Sequence, residues 1–154
     1  MFKLLATSIL SIVIVNAGCA SKQKLEGRYT TRQPGVVSVW ANWVKDKGKK
    51  YDLQLAIAND ANEPIIVMLG EMACYRGGQR GTLRHTFFNT GERTIDFRPK
   101  ELKTFNMVCQ IGTDAEGDFK IEIGNIYENP TGDGKTTGKT MAQGISWTAP
   151  DLRN

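Results

Sequence analysis

The stretch that decides the fold is Tyr51-Asp52-Leu53-Gln54-Leu55-Ala56-Ile57-Ala58-Asn59, where large apolar side chains recur at every second residue. A period of two places them on one face of a half-buried β-strand. The same alternation runs through 37–43, 105–111 and 119–123, and the apolar run 65–69 after Pro64 predicts a more fully buried strand. Shorter strand candidates are 27–31, 82–88, 94–97 and 143–148. No segment after residue 18 shows sustained helical periodicity.

Turn-forming residues separate these strands. Residues 89–92 and 114–118 are predicted to form hairpin turns, 76–81 a glycine-rich connection and 129–138 a long loop. Eight or nine short strands at this spacing predict an all-β domain, a single immunoglobulin-like antiparallel β-sandwich of about seven to nine strands. A small closed β-barrel is the alternative. The segments 51–59, 64–69 and 97–105 loosely resemble those of small exported immunoglobulin-like domains, which implies the same sandwich.

The N-terminus has the layout of a secretory signal. Lys3 provides the positive charge, 4–15 is an apolar segment, and small residues follow it. The apolar segment is shorter than the roughly 20 residues of a spanning helix. An amphipathic surface helix is excluded because 4–15 has no charged face.

The motif Ala17-Gly18-Cys19 at the end of this segment resembles the lipobox of bacterial lipoproteins. The resemblance implies that the signal is cut before Cys19 and that its sulfur carries a diacylglycerol. Asn16 stands where the family usually has an apolar residue, so ordinary secretion with cleavage near Ala17 or Ala20 is the alternative. The pair Ala20-Ser21 lacks the aspartate that often retains such proteins in the inner membrane. We therefore expect the bacterial cell envelope, and there the outer membrane, with the membrane as a partner through the lipid.

The predicted organisation has four parts: a cleaved signal over 1–18, a lipidated tether over 19–26, one β-domain over 27–149 and a tail over 150–154. The chain of 154 residues has 40% hydrophobic and 23% charged residues, which excludes a fully disordered protein. Its net charge is +4 and becomes +3 without the signal, since only Lys3 is lost. Mild positive charge favours anionic envelope partners, and without a basic stripe we expect no nucleic acid.

Three cysteines cannot all pair within one chain. With Cys19 lipidated, Cys74 and Cys109 remain in an oxidising compartment, where a disulfide persists. Two buried free thiols are the alternative. A redox pair is disfavoured, since the chain has no Cys-x-x-Cys motif.

Two sets of residues are candidates for binding. Arg76, Arg80 and Arg84 lie around the glycine-rich connection and could hold an anionic group, because a guanidinium binds phosphate or carboxylate bidentately. Trp40 should lie on the outer face of its strand as an aromatic contact, whereas Trp43 should join the core with Val37 and Val39. A solvated loop and partial burial are the respective alternatives. Trp147 should close the core.

No motif supports catalysis. His85 is the only histidine, and neither a catalytic triad nor a zinc set can be assembled around it. We assign no catalytic residue, metal or cofactor. The sequence therefore predicts a membrane-anchored, non-catalytic binding or structural interaction module, with an envelope protein or an anionic glycan as partner. A periplasmic inhibitor or small-ligand carrier is the alternative function.

Overall fold

A computed structural model of the chain describes residues 31–85, 93–112, 114–133, 135 and 137–149. The predicted signal, Cys19, the tether, the turn at 89–92 and the tail at 150–154 lie outside these residues. Within them the chain forms ten antiparallel strands and one 3₁₀ turn, Leu69–Glu71. The strands are β1 Thr31–Gln33, β2 Val37–Asp46, β3 Lys50–Asn59, β4 Ile65–Met68, β5 Ala73–Arg76, β6 Gln79–His85, β7 Thr94–Phe97, β8 Leu102–Gln110, β9 Phe119–Glu128 and β10 Thr140–Ala149.

The strands form one continuous sheet in the order β1-β2-β3-β8-β6-β5-β9-β4-β7. β5 and β4 pair with successive stretches of the same edge of β9, and β10 pairs with its other edge. The all-β prediction is confirmed, and over the described residues the sheet is not closed into a barrel. Ten strands exceed the expected seven to nine. All ten lie within the predicted domain 27–149, whose boundaries remain a prediction. No helix in the described part of the chain is long and apolar enough to cross a membrane.

The sheet folds over at β6, which changes partners along its length. Residues 79–81 pair with β5, whereas 82–85 pair with β8. The two halves of the sheet then face each other across one core. Tyr51 from β3 stacks on Phe119 from β9 with ring centroids 4.8 Å apart, and Phe119 meets Trp147 edge-on at 6.5 Å. Trp147 is fully buried, as predicted.

The predicted disulfide is present at the fold-over. Cys74 on β5 and Cys109 on β8 are bonded, so the bridge joins the two halves of the sheet beside β6. Register places Gly81 opposite Cys74 and Leu83 opposite Cys109. Both cysteines are fully buried.

Two of the predicted connections differ in the structure. The connection predicted over 76–81 is a two-residue hairpin at Gly77 and Gly78, whose φ values of 52° and 80° fit a type I′ turn. The hairpin predicted over 114–118 is wrong, because β8 and β9 lie in opposite halves and do not pair with each other. The chain there crosses from one half to the other.

Candidate functional site

A β-bulge in β2 turns Trp43 to the outside of the sheet. Ala41 pairs with Leu55, but the next pair is Trp43 with Gln54, so Asn42 is the extra residue. The alternation then resumes one residue late, and Val44 is buried instead of Trp43. The prediction that Trp43 joins the core is therefore wrong, whereas Trp40 lies outside as predicted. Both indoles are half-buried on the same outer face.

A chain of side-chain hydrogen bonds crosses this face from strand to strand. The Trp40 indole N–H donates to Asn42 Oδ1 at 2.9 Å, and Asn42 Nδ2 donates to Gln54 Oε1 at 2.9 Å. Gln54 Nε2 then donates to Asn106 Oδ1 at 3.1 Å. The four residues span β2, β3 and β8. Together with Trp43 they form what we call the tryptophan–amide face.

The direction of this hydrogen-bond chain is set by the indole. An indole N–H is a donor only, so Asn42 must turn its oxygen towards Trp40 and its amino group towards Gln54. Gln54 is oriented in the same way by Asn42. The amides are therefore held in one orientation by their neighbours, which is typical of a preorganised polar surface.

The end of the face at the β2–β3 hairpin is rich in lysine. Asp52 forms ion pairs with Lys47 and with Lys50, the latter at 3.6 Å, and Lys45 lies opposite it in register. Partial burial of Asp52 raises its pKa, but the hydrogen bond from Lys47 and the charges of Lys47 and Lys50 outweigh it and lower the pKa. Two ammonium groups thus pair with one ionised carboxylate, and a third lysine lies opposite it on the neighbouring strand. This end of the face carries net positive charge at neutral pH.

The three arginines predicted as one anion-binding cluster do not lie together. Arg76 is fully buried, with Nη2 at 4.0 Å from Asp46 and the guanidinium 5.6 Å from the centre of the Tyr51 ring. It is therefore not accessible to a ligand, and the prediction for it is wrong. Arg80 is exposed opposite Tyr75, in the other half of the sheet. Arg84 is exposed opposite Val108 on β8, beside the tryptophan–amide face.

A second polar cluster lies on the outer face of the other half, around β5 and β9. Lys120 Nζ lies 4.6 Å above the Tyr75 ring and donates to Glu122 at 2.6 Å. The hydrogen bonds from Lys120 and from the Tyr75 hydroxyl lower the pKa of Glu122. The hydrogen bond to Glu122 also raises the pKa of Tyr75. Glu122 is therefore ionised and Tyr75 neutral at pH 7. The charges of Lys120 and Glu122 pair with each other within the cluster.

A cleft of about 450 Å³ opens between the turn after β7 and the loop after β9. Asn129 forms its floor and is fully buried. Its Nδ2 donates to Asp96 Oδ1 at 2.9 Å, and its backbone N–H donates to the Pro64 carbonyl at 3.0 Å. Its Oδ1 has no hydrogen-bond partner among the described residues. Lys103 lies at the wall, 5.3 Å above the Phe97 ring.

The described residues contain no group of three or more acidic, histidine or cysteine side chains that could hold a metal ion. His85 is partly buried, and burial lowers its pKa, so the imidazole is neutral at pH 7.

No protein-family model and no curated protein matches this chain. One solved structure that resembles it, from Bacillus subtilis subsp. subtilis str. 168, is described as that of "a putative lipoprotein (ycdA)". The TM-score is 0.47 and the sequence identity 12%, with 81% of this chain and 39% of that chain covered. The chain thus spans well under half of that protein.

Proposed function

We propose that this protein is a lipid-anchored, non-catalytic binding module of the bacterial envelope. In this proposal Cys19 carries the lipid, and the tryptophan–amide face binds an acidic polymer of the envelope. The observation that carries the proposal is the face itself, with two half-buried indoles and a directed chain of amides on one surface.

The indoles supply the apolar part of the contact. Tryptophan is over-represented among the residues that dominate binding energies, because it offers a large rigid surface at low entropic cost. Trp40 lies opposite Ala56 in register, and Ala56 is fully buried although it is on the outer side of β3. We infer that the Trp40 ring covers it. A ring supported in this way loses little freedom when a partner stacks on it.

The charge of the face selects the partner. The lysines around Asp52 at one side and Arg84 at the other favour an acidic partner. Exposed charges of this kind raise the rate of encounter and are screened by salt. Binding should therefore weaken as the ionic strength rises.

The anchor is tested first. Cys19→Ala should abolish incorporation of labelled palmitate and release the protein from membrane fractions, because the acylated sulfur is then absent. Cys19→Ser offers a second variant of closer size. Unchanged labelling in both variants would contradict the anchor.

The face is tested by co-sedimentation of the purified chain with envelope fragments. Trp40→Ala combined with Trp43→Ala should weaken retention at least about 30-fold, since a residue central to binding contributes about 2 kcal/mol or more. Tyr75→Ala is the matched control, because it removes an aromatic side chain from the opposite face. Retention that survives the double variant, or that depends equally on Tyr75, would refute the role of this face.

Carriage of a small ligand is a second candidate, and one observation favours it. Asn129 Oδ1 is a buried acceptor without a partner among the described residues, which costs about 1–3 kcal/mol. Because this atom is closed off from solvent, a ligand would recover that cost only through a rearrangement of the cleft that brings its donor group to Oδ1. Native mass spectrometry of protein isolated from envelopes should then show an added mass that Asn129→Leu loses. The bare chain mass in the wild type would exclude carriage.

A further inference from the structure

We infer that the partner of the tryptophan–amide face is an acidic glycan, a polyhydroxylated chain that also bears carboxylate groups. This inference rests on the proposed function and names the chemical class of its ligand. Three features carry it: the unused groups of the amides, the pairing state of the strands beneath them, and the charge at the rim.

The amides in the middle of the face keep both kinds of hydrogen-bonding group. A side-chain amide has two N–H donors and two lone pairs on its oxygen. Asn42 and Gln54 each use one N–H and one lone pair within the chain of hydrogen bonds. Each therefore retains one donor and one acceptor, and the two amides lie on neighbouring strands, roughly 4.8 Å apart.

This pattern matches hydroxyl and acetamido groups. A sugar hydroxyl both donates and accepts, and so does an acetamido group, so neighbouring substituents on a sugar can satisfy the donor–acceptor pairs of Asn42 and Gln54. A purely anionic chain only accepts, and it would leave the retained lone pairs of both amides without a donor. The indoles offer flat apolar surfaces on which the C–H face of a sugar ring packs.

The central strand under the face, β3, has no edge open to a peptide that binds by strand addition. That mode needs an exposed sheet edge with free backbone groups. β3 pairs with β2 on one side and with β8 on the other along almost its whole length, and β8 pairs in turn with β6. Recognition over β3 therefore falls to the side chains. Beyond Val39 the outer edge of β2 has no partner strand among the described residues, and the poly-L-glutamate probe tests whether a peptide binds there.

The rim supplies the acidic part of the preference. Lys47 and Lys50 both pair with Asp52, and Lys45 lies opposite it in register. The exposed Arg84 lies in the same cross-strand row, because Val108 on β8 pairs with both Asp52 and Arg84. This row lies two residues along the strands from the row of Trp43, Gln54 and Asn106. A glycan that crosses β2, β3 and β8 along the amide chain therefore runs beside the lysines at one end and beside Arg84 at the other. Carboxylates near its ends would meet both of them.

The test uses the purified full chain and four probes: hyaluronan oligosaccharides, chitohexaose, poly-L-glutamate and a single-stranded oligothymidylate. Tryptophan emission reports binding, since Trp40 and Trp43 are half-buried and Trp147 is enclosed. Hyaluronan should bind most tightly and weaken as salt rises, and chitohexaose should bind more weakly and with little salt dependence. Equal or tighter binding of poly-L-glutamate or of the oligothymidylate would overturn the inference.

One variant separates recognition by the amides from attraction by charge. Gln54→Met keeps the length of the side chain but removes its hydrogen-bonding groups, and it should weaken hyaluronan binding at least about tenfold with an unchanged salt dependence. Gln143→Met, the same substitution at an exposed position on β10, is the matched control. Equal affinities of the two variants would refute the role of the amides. The probe series on the wild type decides the ligand class even if Gln54→Met does not fold.

Failure of the glycan inference can be distinguished from failure of the proposed function. If the chain sediments with envelope fragments through the two tryptophans but binds no glycan, and protease treatment of the fragments abolishes sedimentation, the partner is a protein and only the glycan inference falls. If the chain does not sediment at all, the proposed function falls with it.

Discussion

Gly81 is the position where the structure makes its sharpest stability prediction. It pairs with Cys74 on β5, and the next residue, Thr82, already pairs with Gln110 on β8. The two strands are bridged here by the disulfide, so β6 has little room as it crosses between them. A Cβ at residue 81 would lie 2.8 Å from the Gln110 carbonyl oxygen, 2.9 Å from Cys109 Sγ and 2.5 Å from Ile111 Cδ1.

Two of these three neighbours have little freedom to move away from an added methyl group. The carbonyl oxygen belongs to the backbone of a paired strand, and the sulfur is fixed by its bond to Cys74. Overpacking of this kind costs about 1–3 kcal/mol. Replacing glycine by alanine also restricts the unfolded chain, which offsets roughly 0.4–1 kcal/mol of the loss. Gly81→Ala should therefore lower the free energy of unfolding by about 1–2 kcal/mol.

Urea denaturation followed by tryptophan fluorescence, with the disulfide intact, measures this change. Gly112→Ala is the matched control, because Gly112 has an ordinary φ and a Cβ added there would meet no atom within 4 Å. The control should be neutral or slightly stabilising, so the two variants should differ in sign. A Gly81→Ala protein as stable as the Gly112→Ala protein would refute the close packing described at the fold-over.

Three further outcomes concern the disulfide and two polar groups. Replacing Cys74 and Cys109 together by alanine should lower the free energy of unfolding by roughly 3–4 kcal/mol on the chain-entropy estimate, measured in urea; a loss below about 1 kcal/mol would contradict it. Asn129→Asp should place a buried carboxylate against Asp96, destabilise the protein at pH 7 and recover stability on acidification as the new group protonates; equal loss at both pH values would count against this. Because the pKa of Glu122 is lowered, its hydrogen bonds stabilise the fold at neutral pH and are lost as the pH falls through that pKa, so Glu122→Gln should flatten the acid limb of a thermal-melt series; an unchanged limb would contradict it.

The alternation of apolar and polar residues was the basis of most of the fold prediction. The prediction is wrong where a bulge breaks that alternation. Tyr51, Leu53, Leu55 and Ile57 are buried as their spacing predicts. In β2, however, Trp43 and Val44 are both apolar, so the sequence pattern cannot show that a bulge shifts the burial by one residue. The bulge decides that Trp43 joins Trp40 outside, and it depends on pairing with β3, which is a tertiary contact.

The site was only partly predictable for a similar reason. Trp40 was visible as an outward aromatic residue, but the amide chain joins residues of three strands, and no local pattern connects Asn42 with Asn106. Arg76 was misplaced because the two glycines that follow it were interpreted as part of a longer loop over 76–81. The pair Gly77-Gly78 is itself a hairpin signal, and taking it as one would have placed Arg76 in a strand.

The bond between Cys74 and Cys109 also limits how far the chain can be drawn out by force. If the protein is pulled from its two ends, the strands can be stripped away, but the segment between the two cysteines stays closed as a ring. With a sequence separation of 35 residues, the ring withholds about 120 Å of contour length at roughly 3.4 Å per residue. A protein stretched between a membrane and a partner would keep β6 and β7 inside this closed ring, even after the strands outside it had unravelled.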